Sequence, residues 1–564
     1  MKANSVADAP SNFKSTPFRL SQILSTFQNP SVLFGDPHIS VDMKQPSGGE
    51  AKAVGHELAS VLPNDGLPWW KKSHLIKLNF CIVSFMLFTS SNGFDGSVMN
   101  GFLALSQWKD FMGNPTGAWL GFINAMYSLG AVIGYPLTAM LCNRWGRKIG
   151  LWLSVFISLV GTALQTAAPN QAAFITARFL MGVSQGLSVG APLLIAENAF
   201  PTHRGIASSI YNSGWYVGAI VAAWATFGTR NMEGSPSWRI PSGLMALLPL
   251  MTVPALFLMD ESPRWLVSMD RANEARMNLA KAHCGGDINA PLVTFEMVEI
   301  EETLKAEKLA NESTSWADLW STPGNRHRLW ISVSLGIFAQ WSGNGVVSYY
   351  LAIILESVGI TSVTDQTLIS GCLQIWNLIW SAAAAICVDK VGRKALFMAS
   401  GIIMLVSYII VTGLSGSFAT SGNGPTGIAV VPFLFIYFLG YDIALTPLVI
   451  SYPVEIWTYQ MRARGLAVCQ MVSLGAIFFN TFINPIALDA IQWKYYFVFV
   501  AILVAMLVTV WFTYPETRGR TLESIAWLFD GDEANVGIAT AENTLKSTNQ
   551  HIEDHTTDES QEKQ

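Results

Sequence analysis

A run of about twenty predominantly apolar residues is long enough to cross the hydrocarbon core of a bilayer. This chain of 564 residues holds twelve such runs, at 79–101, 117–141, 149–168, 172–196, 206–228, 240–259, 329–356, 368–388, 395–415, 428–453, 465–488 and 495–514. Inside a bilayer the backbone must satisfy its own hydrogen bonds, so each run is expected to be a helix and the chain an all-α membrane protein. Composition argues against a string of soluble domains. Hydrophobic residues make up 51% of the chain, charged residues 13%, and mean hydropathy is +0.35; a water-soluble surface needs about a quarter of its residues charged. The 34 basic and 39 acidic residues balance to −5, which leaves no basic field for nucleic acid.

The polar stretches set the organisation. Residues 1–74 read as a disordered tail without a cleavable signal, 75–260 as a six-helix half, 261–328 as a linker with short helices, 329–515 as a second half, and 516–564 as a second tail. Within the linker, Arg271–His283 and Val298–Leu309 read as amphipathic helices outside the bilayer. Loop charge orients the path. One side carries Lys71, Lys72, Lys77, Arg144, Arg147, Lys148 and Arg204, the linker, then Lys390, Arg393, Lys394, Arg462, Arg464, Arg518 and Arg520. The other side holds little beyond Lys109, Arg230, Arg239 and Lys494. Both tails and the linker are therefore expected in the cytoplasm, and the protein in the plasma membrane. The six cysteines have neither the spacing of a metal site nor that of a disulfide framework, so no metal is expected.

An internal repeat narrows the architecture further. Asn143-Arg144-Trp145-Gly146-Arg147-Lys148 follows the second run, and Asp389-Lys390-Val391-Gly392-Arg393-Lys394 follows the eighth. Glu197 precedes Arg204 by seven residues, as Glu455 precedes Arg462. Asp260-Glu261-Ser262-Pro263-Arg264 closes the sixth run, and Pro515-Glu516-Thr517-Arg518-Gly519 closes the twelfth. The three pairs are displaced by 246, 258 and 255 residues, which implies two homologous six-helix halves that rock about a midplane site. Arginine offers a planar fork to carboxylates. Arg144, Arg147, Glu197, Arg204, Asp389, Arg393, Glu455 and Arg462 are therefore expected to form helix-bridging pairs that hold the cytoplasmic side shut. The plainer alternative is that these basic turns only set topology.

These motifs, with Ala339-Gln340-Trp341-Ser342-Gly343-Asn344-Gly345 leading to Tyr349-Tyr350, resemble the sugar porter family of the major facilitator superfamily. Phe94-Asp95-Gly96-Ser97-Val98-Met99-Asn100-Gly101 and Gly343–Tyr350 resemble its fungal lactose-permease-like and hexose-transporter-like branch. The likeness spans about residues 70–525. It implies that Asp95, an acid within the first run, couples transport to protons together with Arg178 of Arg178-x3-Gly182-x3-Gly186, the alternative being a static ion pair. It also implies that Asn212, Gln340, Asn344, Tyr349, Tyr350 and Asn377 face a sugar.

The sequence departs from the family pattern at Ala339, Gly345, Ile450 and Ser473-Leu474, where smaller groups are expected to widen the pocket toward a disaccharide. Asp442 is a second intramembrane acid that the family pattern lacks. Binding substrate, passing protons and pairing with a neighbour are equally open to it. The expected protein is a monomeric proton-coupled sugar transporter in contact with lipid, with protons as its coupling ion and no other cofactor. A uniporter, an exporter of a sugar-like metabolite and a sugar sensor are the rivals. An enzyme is not expected, because no nucleophile–base set or metal motif is present.

Overall fold

All twelve apolar runs are helical in the computed structural model, and no strand occurs among the described residues. Those residues are 69–458, 460–518 and 522–530, with Leu58, Val61 and Leu62. Contacts divide the chain into Met1–Ser60 and Val61–Gln564; the second unit is described below. The two expected disordered tails lie largely outside the described residues.

The spans are α1 (Ser73–Ala104), α2 (Gly117–Trp145), α3 (Arg147–Thr166), α4 (Gln171–Asn198), α5 (Arg204–Thr229) and α6 (Pro236–Leu258). After the linker come α7 (Pro323–Trp341), α8 (Val363–Val391), α9 (Arg393–Ser421), α10 (Val430–Ile456), α11 (Arg462–Ile491) and α12 (Tyr496–Thr513). Among the described residues, eight stretches are long and apolar enough to cross a membrane by length and composition, one of them holding both α11 and α12. Helices α5 and α8 pack on each other where the halves meet, and there polar side chains avoid lipid.

The seventh span is not one helix, as the sequence implied, but two. It breaks after α7 and resumes at Asn344–Ser357 because Gly343 adopts a left-handed conformation, φ 106°. Only glycine is tolerated there: a Cβ would collide with the phenol of Tyr408, whose hydroxyl donates to the Gly343 carbonyl at 2.9 Å. A second kink follows at Tyr350, φ −133° and ψ 24°.

Helices α2 and α4 approach through glycines. A Cβ on Gly182 would strike the Tyr127 carbonyl, and one on Gly130 the Phe179 carbonyl, while Gly134 and Gly186 touch backbone to backbone. This small-xxx-small pairing on both helices gives the close crossing that lipid-embedded helices use in place of hydrophobic drive. The same crossing sets Arg178, one turn before Gly182, into the interior.

Helices Pro263–Ser268, Ala272–His283 and Pro291–Ser313 form the linker, the last longer than the sequence implied. They enclose a small core of Trp265, Leu266, Ala275, Leu279, Ala280, Val293 and Met297. Buried His283 lies 2.7 Å from Glu296 and 3.1 Å from the Asn198 carbonyl, which seats the linker on the end of α4. Helix Leu522–Asp530 docks through Arg328, which donates to both Asp530 oxygens at 2.9 and 2.8 Å.

Candidate functional site

The repeated motifs build the same structure twice. Gly146 (φ 98°) ends α2 and Gly392 (φ 104°) ends α8, so that α3 and α9 start at once with Arg-Lys. The backbone N–H groups of Arg147 and Lys148 donate to Glu261 at 3.0 and 3.1 Å. Those of Arg393 and Lys394 donate to Glu516 at 2.8 and 3.0 Å. Each carboxylate thus satisfies orphan donors at a helix N-terminus. Burial pushes the Glu516 carboxyl up, but the N–H groups of Arg518, Arg393, Lys394 and Thr517 outweigh it and hold it below the ordinary glutamate value.

Arg147 then pairs with Glu197 at 2.9 Å, and Arg393 with Glu455 at 2.9 Å. Both pairs join helices of one half, not the two halves to each other. Arg144 lies over the Trp145 ring, Arg204 opens α5 and Arg462 opens α11. The Asp389 side chain lies outside the described residues.

Hydrogen bonds between transmembrane helices of opposite halves fall, among the described residues, at mid-depth or at the end away from the linker. Asn100 on α1 clamps the backbone around the Tyr350 kink: its amide donates to the Ser348 carbonyl and accepts from the Leu351 N–H at 2.9 Å. Asn124 donates to the Tyr350 hydroxyl at 3.0 Å, and that hydroxyl donates to the Thr481 carbonyl at 2.6 Å. Lys109 reaches Glu356 at 3.2 Å, and Arg230 reaches Thr364 at 3.0 Å. The end away from the linker is closed.

Below this closure, Arg178 donates to Asp95 at 2.5 Å, and its guanidinium covers the Tyr127 ring at 4.9 Å. Asp95 is 1% exposed and Arg178 3%. An ionised acid at this depth needs such a partner, because removing one member of a buried pair costs about 3–5 kcal/mol. The pair borders a cleft between α1, α2 and α4 of one half and α11 and Tyr349 of the other. Its polar lining is Asn124, Tyr127, Ser128, Arg178, Gln185, Tyr349 and Thr481; Met99, Ala131, Leu474 and Ile477 make the apolar part. Amides, hydroxyls and aromatic faces on a mostly neutral wall suit a neutral polyhydroxylated ligand.

A family model described as sugar (and other) transporter matches residues 80–529. The chain belongs to this family. Its members are transporters rather than enzymes. The chain is 27% identical over 454 residues to the high-affinity glucose transporter of Kluyveromyces lactis, covering 77% of this chain and 81% of that one. It is 28% identical over 446 residues to the MFS-type transporter oryC of Aspergillus oryzae, covering 77% and 82%. It is 26% identical over 521 residues to the galactose transporter of Saccharomyces cerevisiae, covering 89% of each. The inward open conformation of the xylose transporter XylE from E. coli superposes with a TM-score of 0.66 at 22% identity, covering 80% of this chain and all of that one. That likeness shows the major facilitator fold.

On this sugar-porter scaffold the expected site residues scatter. Tyr349 lines the cleft, but Tyr350 is buried in the closure. Asn344 accepts from Ser348 at 2.6 Å, and the Gln340 carbonyl accepts from Asn480 at 2.8 Å. Asn377 is buried on α8, Asn212 is exposed on α5, and neither lines the cleft described above. Ala339 is wholly buried, with its carbonyl accepting from Tyr441, so its small side chain does not enlarge that cleft. Gln185 was missed by the sequence reading, although it lies seven residues after Arg178, two helical turns along the same face. Asp442 is fully buried and accepts from Tyr216 at 2.5 Å and Thr446 at 3.0 Å.

Proposed function

We propose that this transporter moves a neutral sugar into the cell together with a proton. The observation that carries the reading is the buried Asp95–Arg178 pair at the edge of a neutral, hydroxyl- and amide-lined cleft between the halves. With the linker in the cytoplasm, as loop charge favours, the closed end is extracellular and this conformation faces inward. Asp95 takes up a proton when the halves open outward, as α1 and α4 shift within their own half and Arg178 is drawn from it. Return to the inward arrangement restores the pair and drives the proton off, because the cation favours the ionised acid. The neutral pocket holds the sugar through hydroxyls meanwhile. No covalent chemistry and no cofactor beyond the proton are required, and one chain suffices.

Two kinds of relative support this cargo. The glucose, hexose and galactose transporters of yeasts share the family, and the proton:xylose symporter XylE, with 6-bromo-6-deoxy-D-glucose bound, shares the fold at TM-score 0.64. They favour a monosaccharide over the disaccharide that the sequence favoured. The test is uptake of labelled glucose, xylose, galactose and lactose by proteoliposomes, with and without an outside-acid pH gradient. Accumulation of one sugar above its outside concentration, abolished by a protonophore, is expected. Failure of any sugar to move would overturn the reading in favour of a different metabolite.

A further inference from the structure

We propose that Asp442 is a second proton-binding site, switched by contact between the halves; its place in transport rests on the function proposed above. The carboxyl sits at mid-depth in α10 and is 0% exposed. One oxygen accepts from Tyr216 on α5, in the opposite half, and from Thr446 on its own helix; the other has no hydrogen-bond partner among the described residues.

What surrounds Asp442 is uncharged. Its own helix adds the phenols of Tyr437 and Tyr441, and no cation acts on it among the described residues. From the elements packed along α10, Ser342 at the end of α7 and Tyr408 of α9 reach Tyr437, Trp376 of α8 donates to the Phe435 carbonyl, and Cys469 of α11 lies at the Val449 carbonyl. Charged groups touch α10 at its linker-side end, where Arg393 holds Glu455 and Arg328 donates to the Ile456 carbonyl.

An ionised carboxylate with two neutral donors and a bare second oxygen, buried in a bilayer, is strongly disfavoured. In this conformation Asp442 therefore carries a proton on the oxygen that Tyr216 does not use. Contrast Asp95, whose arginine lies in the same half. Because Tyr216 and Asp442 belong to different halves, rocking separates α5 from α10 and lets water reach the carboxyl, to which the proton is released. Asp442 is thus protonated when the halves meet here and ionised when they part.

Infrared titration of the full chain in lipid nanodiscs tests this without any substrate. The carbonyl stretch of a protonated buried carboxyl is expected in the wild type, lost in Asp442→Asn, retained in Asp95→Asn and shifted in Tyr216→Phe, which removes a donor but no charge. An unchanged band in Asp442→Asn overturns the proposal. In proteoliposomes, the pH dependence of glucose uptake is expected to change in Asp442→Asn, and an unchanged profile would remove Asp442 from the cycle. Absence of glucose transport in the wild type counts against the sugar reading and leaves the infrared result to decide the proton site.

Discussion

Asn100 on α1 holds the backbone of the seventh span on both sides of Tyr350, accepting from the Leu351 N–H at 2.9 Å while donating to the Ser348 carbonyl. Asn100→Ala deletes both bonds and leaves a buried N–H and C=O unpaired only in the closed arrangement. The cost is about 2 kcal/mol, which shifts the population of the closed end by about 30-fold. Labelling of a cysteine placed at Glu356 should speed up accordingly. Unchanged labelling would mean that the clamp does not govern closure.

The α2–α4 crossing makes a second prediction. Gly182→Val puts three carbons where the Tyr127 carbonyl already lies against the glycine, so the helices must separate. Overpacking of this kind costs about 1–3 kcal/mol. The variant should melt earlier in detergent, whereas Gly413→Ala, at a glycine with open space around it, should not. Equal melting of the two would show that the close crossing contributes nothing.

The repeated motifs were legible in the sequence because they are local. Gly-Arg-Lys after a span and Glu seven residues before Arg are short patterns, and the structure joins each to its partner in the same half. Asp95 was legible for another reason, since a charge in an apolar run demands a partner, and the family resemblance named Arg178 as that partner. The break at Gly343 was not legible, since its cause, the Tyr408 phenol, comes from another helix. Gln185, Asn100 and Asn124 were hidden likewise, because an amide in a span reads the same whether it faces a cavity, a backbone or a neighbouring helix. Tyr216 as the partner of Asp442 depends on contact between the halves, which no local pattern reports.

Glu516 supplies a pH test. Its folded value lies below the ordinary one, so the ionised form is favoured by folding. The stability it adds is present above the unfolded value, about 4.3, and is lost as pH falls through the folded value. Glu516→Gln should therefore melt earlier than the wild type at neutral pH. The gap should close as pH drops below the folded value. A gap that stays constant with pH would assign the effect to the side chain's shape rather than its charge.

Asp95→Asn separates coupling from transport. The amide cannot ionise, so uphill accumulation should vanish, while exchange of sugar across the membrane persists because the cleft walls are intact. The substitution also strands the Arg178 charge, at a cost of about 3–5 kcal/mol, and a loss of activity could then reflect misfolding. The double variant Asp95→Asn/Arg178→Gln resolves this, since it removes the stranded charge and should recover much of the melting temperature. Coupling should remain absent in both variants if the acid carries the proton. Accumulation against a gradient in either one, at acidic external pH, would show that Asp95 is only a helix-bridging ion and that another group carries the coupling proton.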